Sequence, residues 1–404
     1  MQKKVLFVIL DGIADDLTDT PLKLAVKTNL DLITKNGFAG LIENREGGHP
    51  DSAISNFVLL GYEKDEYPGR GYLEALGINL KPTPGSVYVR ANFATVKEAM
   101  HDDFKTGTYE PHLVVVDRRA GRDASGLFEM AKDIKEFFLD GVRIDFYKSL
   151  AHRGVIALNS IAISPNVSDT DLETEGTEVP EVKPLSNDNE SAKTAAALNK
   201  FEKETYRILK NHPANKYRSV PANYILLRGA SCYRYVKSFK DNFGLKGACV
   251  AASPVIKGIA RAFEMEIFDV SGASGDLKTD IRAKTLKALE VLNNHDFVVL
   301  HILGCDVAAH DKKPNLKRLF IEKIDREVFA KILEYVDFSK TLLVVTSDHP
   351  TSSKTGTHIP GFLPFVIYTK GIEPNHIQKF DEESCKQGPA INIEHFMEEV
   401  LKYV

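Results

Sequence analysis

Cysteine is scarce in this chain: Cys232, Cys249, Cys305 and Cys385 are the only four in 404 residues, and none belongs to a C-x-x-C pair. That scatter excludes a disulfide framework and a zinc ribbon, and suits free thiols in a reducing compartment. A positive surplus is also missing. Lys and Arg total 52 against 56 Asp and Glu, for a formal charge of -4, which argues against a dedicated nucleic-acid or membrane-surface binder. Long apolar runs are absent as well. The N-terminal run Val5 to Leu10 meets Asp11, and no small-residue cleavage site follows, so the expectation is a cytoplasmic protein whose first strand begins at once. Neither a G-x-x-x-x-G-K-[ST] loop nor a G-x-G-x-x-G after the first strand is present, which removes support for nucleotide or dinucleotide binding.

What remains is an ordinary composition, 43% hydrophobic and 27% charged, long enough for two domains. The runs 5–10, 224–228, 297–303, 341–346 and 365–368 are rich in Val, Ile, Leu and Phe without polar alternation. Such runs fit strands covered on both faces, hence an α/β fold with a mixed, mainly parallel sheet between helices. In 279–294, Ile281, Ala288, Leu289 and Leu292 share one helical face, with Thr279 or Asp280 as cap. The middle differs. Residues 166–191 are acidic and polar and read as an exposed loop, 192–212 as an amphipathic helix, and 86–96, 112–117 and 152–163 as further strands. The expected division is a discontinuous core, 1–82 with 220–404, and an inserted smaller α/β domain, 83–219.

Three apolar runs end in potential ligands: Asp11, Asp306, and Asp348 with His349. Open α/β sheets place their sites at such carboxyl ends. His310, four residues after Asp306, and His358, in a loop of small polar residues, extend the set. Carboxylates mixed with imidazoles suit Mn²⁺, Zn²⁺ or Co²⁺, and the six residues exceed what one ion takes while leaving room for substrate. Two metals would clamp a phosphoryl transfer and activate a serine. Ser52, in "GGHPDSAISNFVLLGY", is placed to cap a helix and also to carry a phosphoryl group at that helix's N-terminus.

Taken together, "VILDGIADD", "PDSAISNFVLLGYEKDEYPGRGYLEALG", "RANFATV", "VVDRRAGR", "SPNVSDTD", "HPANKYRSVPANYILLRGAS", "SPVIKGIARAFEMEIFDVSGASG", "DVAAHD" and "SDHPTSSKTGTH" resemble the archaeal-type, 2,3-bisphosphoglycerate-independent phosphoglycerate mutases of the alkaline phosphatase superfamily. The resemblance implies an alkaline phosphatase-like core holding two divalent ions, with manganese expected and cobalt, zinc or magnesium as alternatives, and no 2,3-bisphosphoglycerate requirement. It implies Asp11, Ser52, Asp348 and His349 around one ion, and Asp306, His310 and His358 around the other. It further implies substrate-binding roles for Arg118, Arg119, Arg122, His152, Arg153 and Lys257, with Asp117 or Asp171 relaying protons between the two hydroxyls of a phosphoglycerate substrate. The alternatives are a metal-dependent phosphatase of the same superfamily and a catalytically silent relative. One departure stands out: members commonly read Pro-Gly-Ser-Asp around the serine, whereas this chain reads Pro50-Asp51-Ser52-Ala53.

Overall fold

The computed structural model describes residues 2–44, 51–103 and 108–404. In chain order the strands are β1 (Lys4–Leu10), β2 (Phe38–Asn44), β3 (Val87–Asp103), β4 (Thr108–Asp117), β5 (Glu136–Leu139), β6 (Val142–Lys148), β7 (Arg153–Asn159), β8 (Tyr224–Cys232), β9 (Gly247–Val250), β10 (Glu266–Ile267), β11 (Phe297–Ile302), β12 (Thr341–Thr346), β13 (Gly361–Tyr368) and β14 (Ala390–Asn392). They form two sheets in two compact units, one made of residues 1–67 and 236–404, the other of residues 68–235.

The first unit holds an eight-stranded sheet in the order β10-β9-β11-β1-β12-β13-β2-β14. From β10 to β12 all neighbours are parallel, and β13 then runs antiparallel to both β12 and β2. The fold is therefore mixed α/β around a mostly parallel sheet. Central strands β11, β1 and β12 are buried along almost their whole length, which is why their sequences lack alternation. Helix Ile281–Leu292 packs on this sheet; Asp280 caps it by accepting from the Ala283 N–H at 2.8 Å, and Ile281, Ala288, Val291 and Leu292 are buried. The register pairs Ile9 with both His301 and Thr346. Consequently the turns after β1, β11 and β12 leave the sheet at one edge.

The second unit is built on an antiparallel sheet, β4-β3-β7-β6-β5, with β8 pairing β3. Helix Asn189–Leu209 covers it with Ala195, Leu198 and Phe201, and starts where Asp188 accepts from the Ser191 N–H at 2.6 Å. This unit reaches beyond residues 83–219 because helix Arg70–Gly77 and β8 both pack on β3. The run 224–228 thus does not join the parallel sheet; an apolar run reports burial and not its pairing partner. Nor is 166–191 wholly an exposed loop. Val167, Thr170, Asp171 and Val182 are buried, and the Thr170 and Asp171 N–H groups both donate to Leu227 O at 2.9 Å, so the polar segment is anchored to β8 by backbone hydrogen bonds that composition does not reveal.

Candidate functional site

At the carboxyl edge of β11, β1 and β12, three buried aspartates and four histidines converge: Asp11, Asp306 and Asp348 with His301, His310, His349 and His358. Asp11 directly follows β1, Asp306 opens the helix Gly304–His310 after β11, and Asp348 and His349 follow β12. Backbone bonds lock the three turns together, since the Asp306 N–H donates to Asp11 O at 3.0 Å and the Thr351 N–H to Ala14 O at 3.0 Å. Beneath them the buried Lys317 ammonium donates to Asp15 Oδ2 at 2.8 Å and to the carbonyls of Ala14 and Thr351 at 3.0 Å. Burial works against the Asp15 carboxylate, yet the Lys317 charge and the Ser353 donors hold it below its ordinary range.

Hydrogen-bond direction can be followed through the cluster. The Thr351 hydroxyl donates to Asp306 Oδ1 at 2.9 Å, so its oxygen, 3.2 Å from His349 Nδ1, accepts the Nδ1 proton. His349 Nε2 is thereby left with a lone pair, which faces Ser52 Oγ at 2.9 Å, Asp348 Oδ2 at 3.3 Å and Asp11 Oδ1 at 3.6 Å. His310 follows the same rule. Its Nδ1–H donates to Gly356 O at 2.6 Å, turning Nε2 toward Asp306 Oδ1 at 3.3 Å and His358 Nε2 at 3.1 Å. The rings of His349 and His358 stack at 3.7 Å between centroids.

Burial pushes the His301 and His349 imidazoles down to about 3, so both are neutral. Burial also raises Asp348, whereas Asp306, despite its own burial, is held well below the usual carboxylate range by His310 and His358. Three buried carboxylates, with His301 and His349 uncharged beside them, leave a negative charge that a divalent cation would compensate. Two sets of donor atoms, Asp306, His349 and His358, and Asp11, His301 and Asp348, each lie within 4.8 Å of one another. The donor chemistry and spacing therefore fit a metal centre of borderline character.

Ser52 is not the cap of its helix. In Ser52–Leu59 that role belongs to Asp51, whose Oδ1 accepts from the Ala53 N–H at 2.7 Å. The carboxylate that stands one place earlier than in the family pattern thus terminates the helix and releases the Ser52 hydroxyl to face His349. Asn56 braces the same turn, donating to Ser52 O and Asp348 Oδ2 at 2.7 Å each. The Gly/Pro turn at 47–50 lies outside the described residues.

The second unit gathers charge of the opposite sign. His152 is buried, and its proton affinity is lowered well below normal by that burial and by Arg153, Arg119, Arg90 and Arg122. Buried Asp171 accepts from Arg118 Nε at 2.6 Å and Asn92 Nδ2 at 2.8 Å. Asp117, in contrast, uses both oxygens within its own turn, accepting from the Arg119 and Gly121 N–H groups at 2.7 and 3.0 Å. Positive φ at Ala120, Gly121 and Arg122 in succession marks that turn as strained. Lys257, in the first unit, pairs with Asp269.

Five further charged or ligand-type residues at these sites were not read from the sequence. Arg90, Arg228 and the Arg70–Glu74 pair come from separate elements; Glu74 Oε1, 3.0 Å from Arg70 Nε and 3.9 Å from Arg90 Nε, is the buried counter-charge of Arg70 and Arg90, whereas Arg228 pairs with Glu173. His301 was missed as well, although a histidine inside "FVVLHIL", five residues before Asp306, was a signal.

Comparison with known proteins gives a consistent picture. A family model described as 2,3-bisphosphoglycerate-independent phosphoglycerate mutase matches residues 34–215. Relatives bearing that name from Methanopyrus kandleri and Methanocaldococcus jannaschii are each 36% identical to this chain; the alignments cover 96% and 99% of it, and 93% and 96% of the relatives. Among solved structures, a Pyrococcus horikoshii protein superposes with a TM-score of 0.79 at 26% identity, covering 100% of this chain and 98% of that one. A cofactor-independent phosphoglycerate mutase from Thermoplasma acidophilum gives 0.62 at 30% identity, with 99% of each chain covered.

Proposed function

The chain belongs to the 2,3-bisphosphoglycerate-independent phosphoglycerate mutases, and from that premise we propose that it interconverts 3-phosphoglycerate and 2-phosphoglycerate by carrying the phosphoryl group on Ser52. The carrying observation is Ser52 Oγ, 2.9 Å from the unprotonated Nε2 of His349 within the carboxylate and imidazole cluster. Asp11, Ser52, Asp348 and His349 would hold one divalent ion, and Asp306, His310 and His358 the other, with manganese the expected metal. Bound there, the ions supply positive charge for the phosphoryl oxygens and favour the serine alkoxide.

In the forward step Ser52 Oγ bonds to phosphorus as the O3–P bond of 3-phosphoglycerate breaks. The departing O3 alkoxide takes one proton, and the second step, bond for bond the reverse, uses O2 as nucleophile and gives that proton up. We assign this relay to Asp171, because Asp117 is committed to its turn while Asp171 is buried and oriented by Arg118 and Asn92. Burial works against the Asp171 carboxylate, yet Arg118 holds it below its usual range, so it enters the cycle ionised. It takes the proton that Ser52 gives up on attack and passes it to O3, and the second step returns a proton from O2 to Ser52 the same way. Arg118, Arg119, Arg122, His152 and Arg153 hold the carboxylate and phosphate, a task for which planar guanidinium groups pair bidentately with oxyanions. Lys257 serves the phosphoryl group. Retaining glycerate and excluding water separate this outcome from hydrolysis. We place the reaction, a step shared by glycolysis and gluconeogenesis, in the cytoplasm, in keeping with the scattered free cysteines. An enolase-coupled assay on metal-loaded protein tests the reading: formation of 2-phosphoglycerate from 3-phosphoglycerate supports it, and release of inorganic phosphate without 2-phosphoglycerate makes the protein a phosphatase.

A further inference from the structure

Asp11 faces two ways. Its Oδ1 lies 3.6 Å from His349 Nε2, toward Ser52, whereas Oδ2 lies 3.1 Å from His301 Nε2. His301 comes from within the sheet, in β11 opposite Ile9 of β1, and is fully buried. Among the described residues neither of its ring nitrogens has a hydrogen-bond partner, because the approach to Asp11 lacks the alignment of one. A buried imidazole with both nitrogens unsatisfied is costly, and a cation on the lone pair of one of them would reduce that cost. The backbone of His301 is also held, as the buried Lys284 ammonium donates to its carbonyl. One donor atom each from Asp11, His301 and Asp348 lie within 4.8 Å of one another.

We propose that His301 is a metal ligand, and that Asp11, His301 and Asp348 hold a third divalent cation, which shares the Asp11 and Asp348 carboxylates with the ion beside Ser52. The inference builds on the two-ion reading of the site and extends it. Two carboxylates and one imidazole form a borderline donor set that takes Zn²⁺, Mn²⁺ or Co²⁺. Because all three residues are buried and Asp11 also faces His349 through Oδ1, an ion held there would fix the carboxylate that Ser52 chemistry depends on. His301 is then a positioning residue for the phosphoryl transfer.

The test uses the full chain, stripped of metal and reloaded with Zn²⁺ by dialysis, with metal content read by mass spectrometry and positions by anomalous diffraction. The expected result is three ions per wild-type chain, one within bonding distance of His301 Nε2, and two per chain in His301→Leu. Saturation at two ions without an anomalous peak at His301, or three ions retained by His301→Leu, overturns the proposal. Should His301→Leu fail to fold, the wild-type anomalous map decides alone. Mutase turnover with two ions overturns the third site and leaves the functional reading intact; three ions without mutase turnover do the reverse.

Discussion

Glu202 offers a quantitative check of the second unit. It sits in helix Asn189–Leu209, almost wholly inaccessible, and accepts from the Thr170 hydroxyl at 2.7 Å. Thr170 in turn accepts from the Leu227 N–H at 2.9 Å, so this carboxyl supports the contact between the Asp171 segment and β8. Burial pushes it up to about 8 from 4.5, outweighing the Thr170 hydrogen bond. Folded Glu202 therefore keeps its proton below about pH 8, whereas the unfolded chain loses it near 4.5. Between these values unfolding releases a proton, and Glu202 makes stability fall as pH rises, by up to about 1.4 kcal/mol per unit. Glu202→Gln keeps the shape and the acceptor but cannot ionise. Urea unfolding of both proteins from pH 5 to pH 8 isolates the effect, since every other titrating group is shared. The slope flattens near each pKa, so the variant should gain on the wild type by about 3 to 4 kcal/mol over those three units. Parallel curves would refute the reasoning and show that folded Glu202 is already ionised.

Further predictions address the site. Lys317→Met should cost about 3 to 5 kcal/mol by stranding the Asp15 carboxylate, and adding Asp15→Asn should restore much of it, as read in a thermal-unfolding double-mutant cycle. Ser52→Ala should lower turnover at least about 10³-fold while metal content of the Asp306 set persists by mass spectrometry. Arg118→Lys should lower kcat/KM by about 10- to 100-fold, the equivalent of 1 to 3 kcal/mol, because one ammonium cannot reproduce the fork that reaches Asp171 and Glu173; a steady-state assay checks it.

Much of the carboxylate and imidazole cluster was legible because polar residues at the ends of apolar runs interrupt a pattern that burial imposes. Asp11, Asp306, Asp348 and His349 interrupt it at strand ends, and the parallel register of β11, β1 and β12 then brings them together. His301 was not legible in that way, since it lies inside such a run and local sequence carries no sign that β1 presents Asp11 beside it. The same reasoning separates Ser52 from Asp51: both suit a helix start, and only backbone geometry decides that Asp51 accepts from Ala53 while Ser52 faces His349. Charges on different elements, such as Arg90 on β3 and Glu74 on its helix, meet through tertiary packing, and no spacing rule connects them. β8 shows the corresponding limit for the fold, because its apolar residues are satisfied equally well by either sheet.

The most direct test of the phosphoserine route is rapid quenching of metal-loaded enzyme with 3-phosphoglycerate labelled at phosphorus, followed by peptide mapping and product analysis. The account predicts transient label on the peptide carrying Ser52 and its appearance in 2-phosphoglycerate, with no labelled inorganic phosphate accumulating. Label that never enters the Ser52 peptide while 2-phosphoglycerate forms would contradict it.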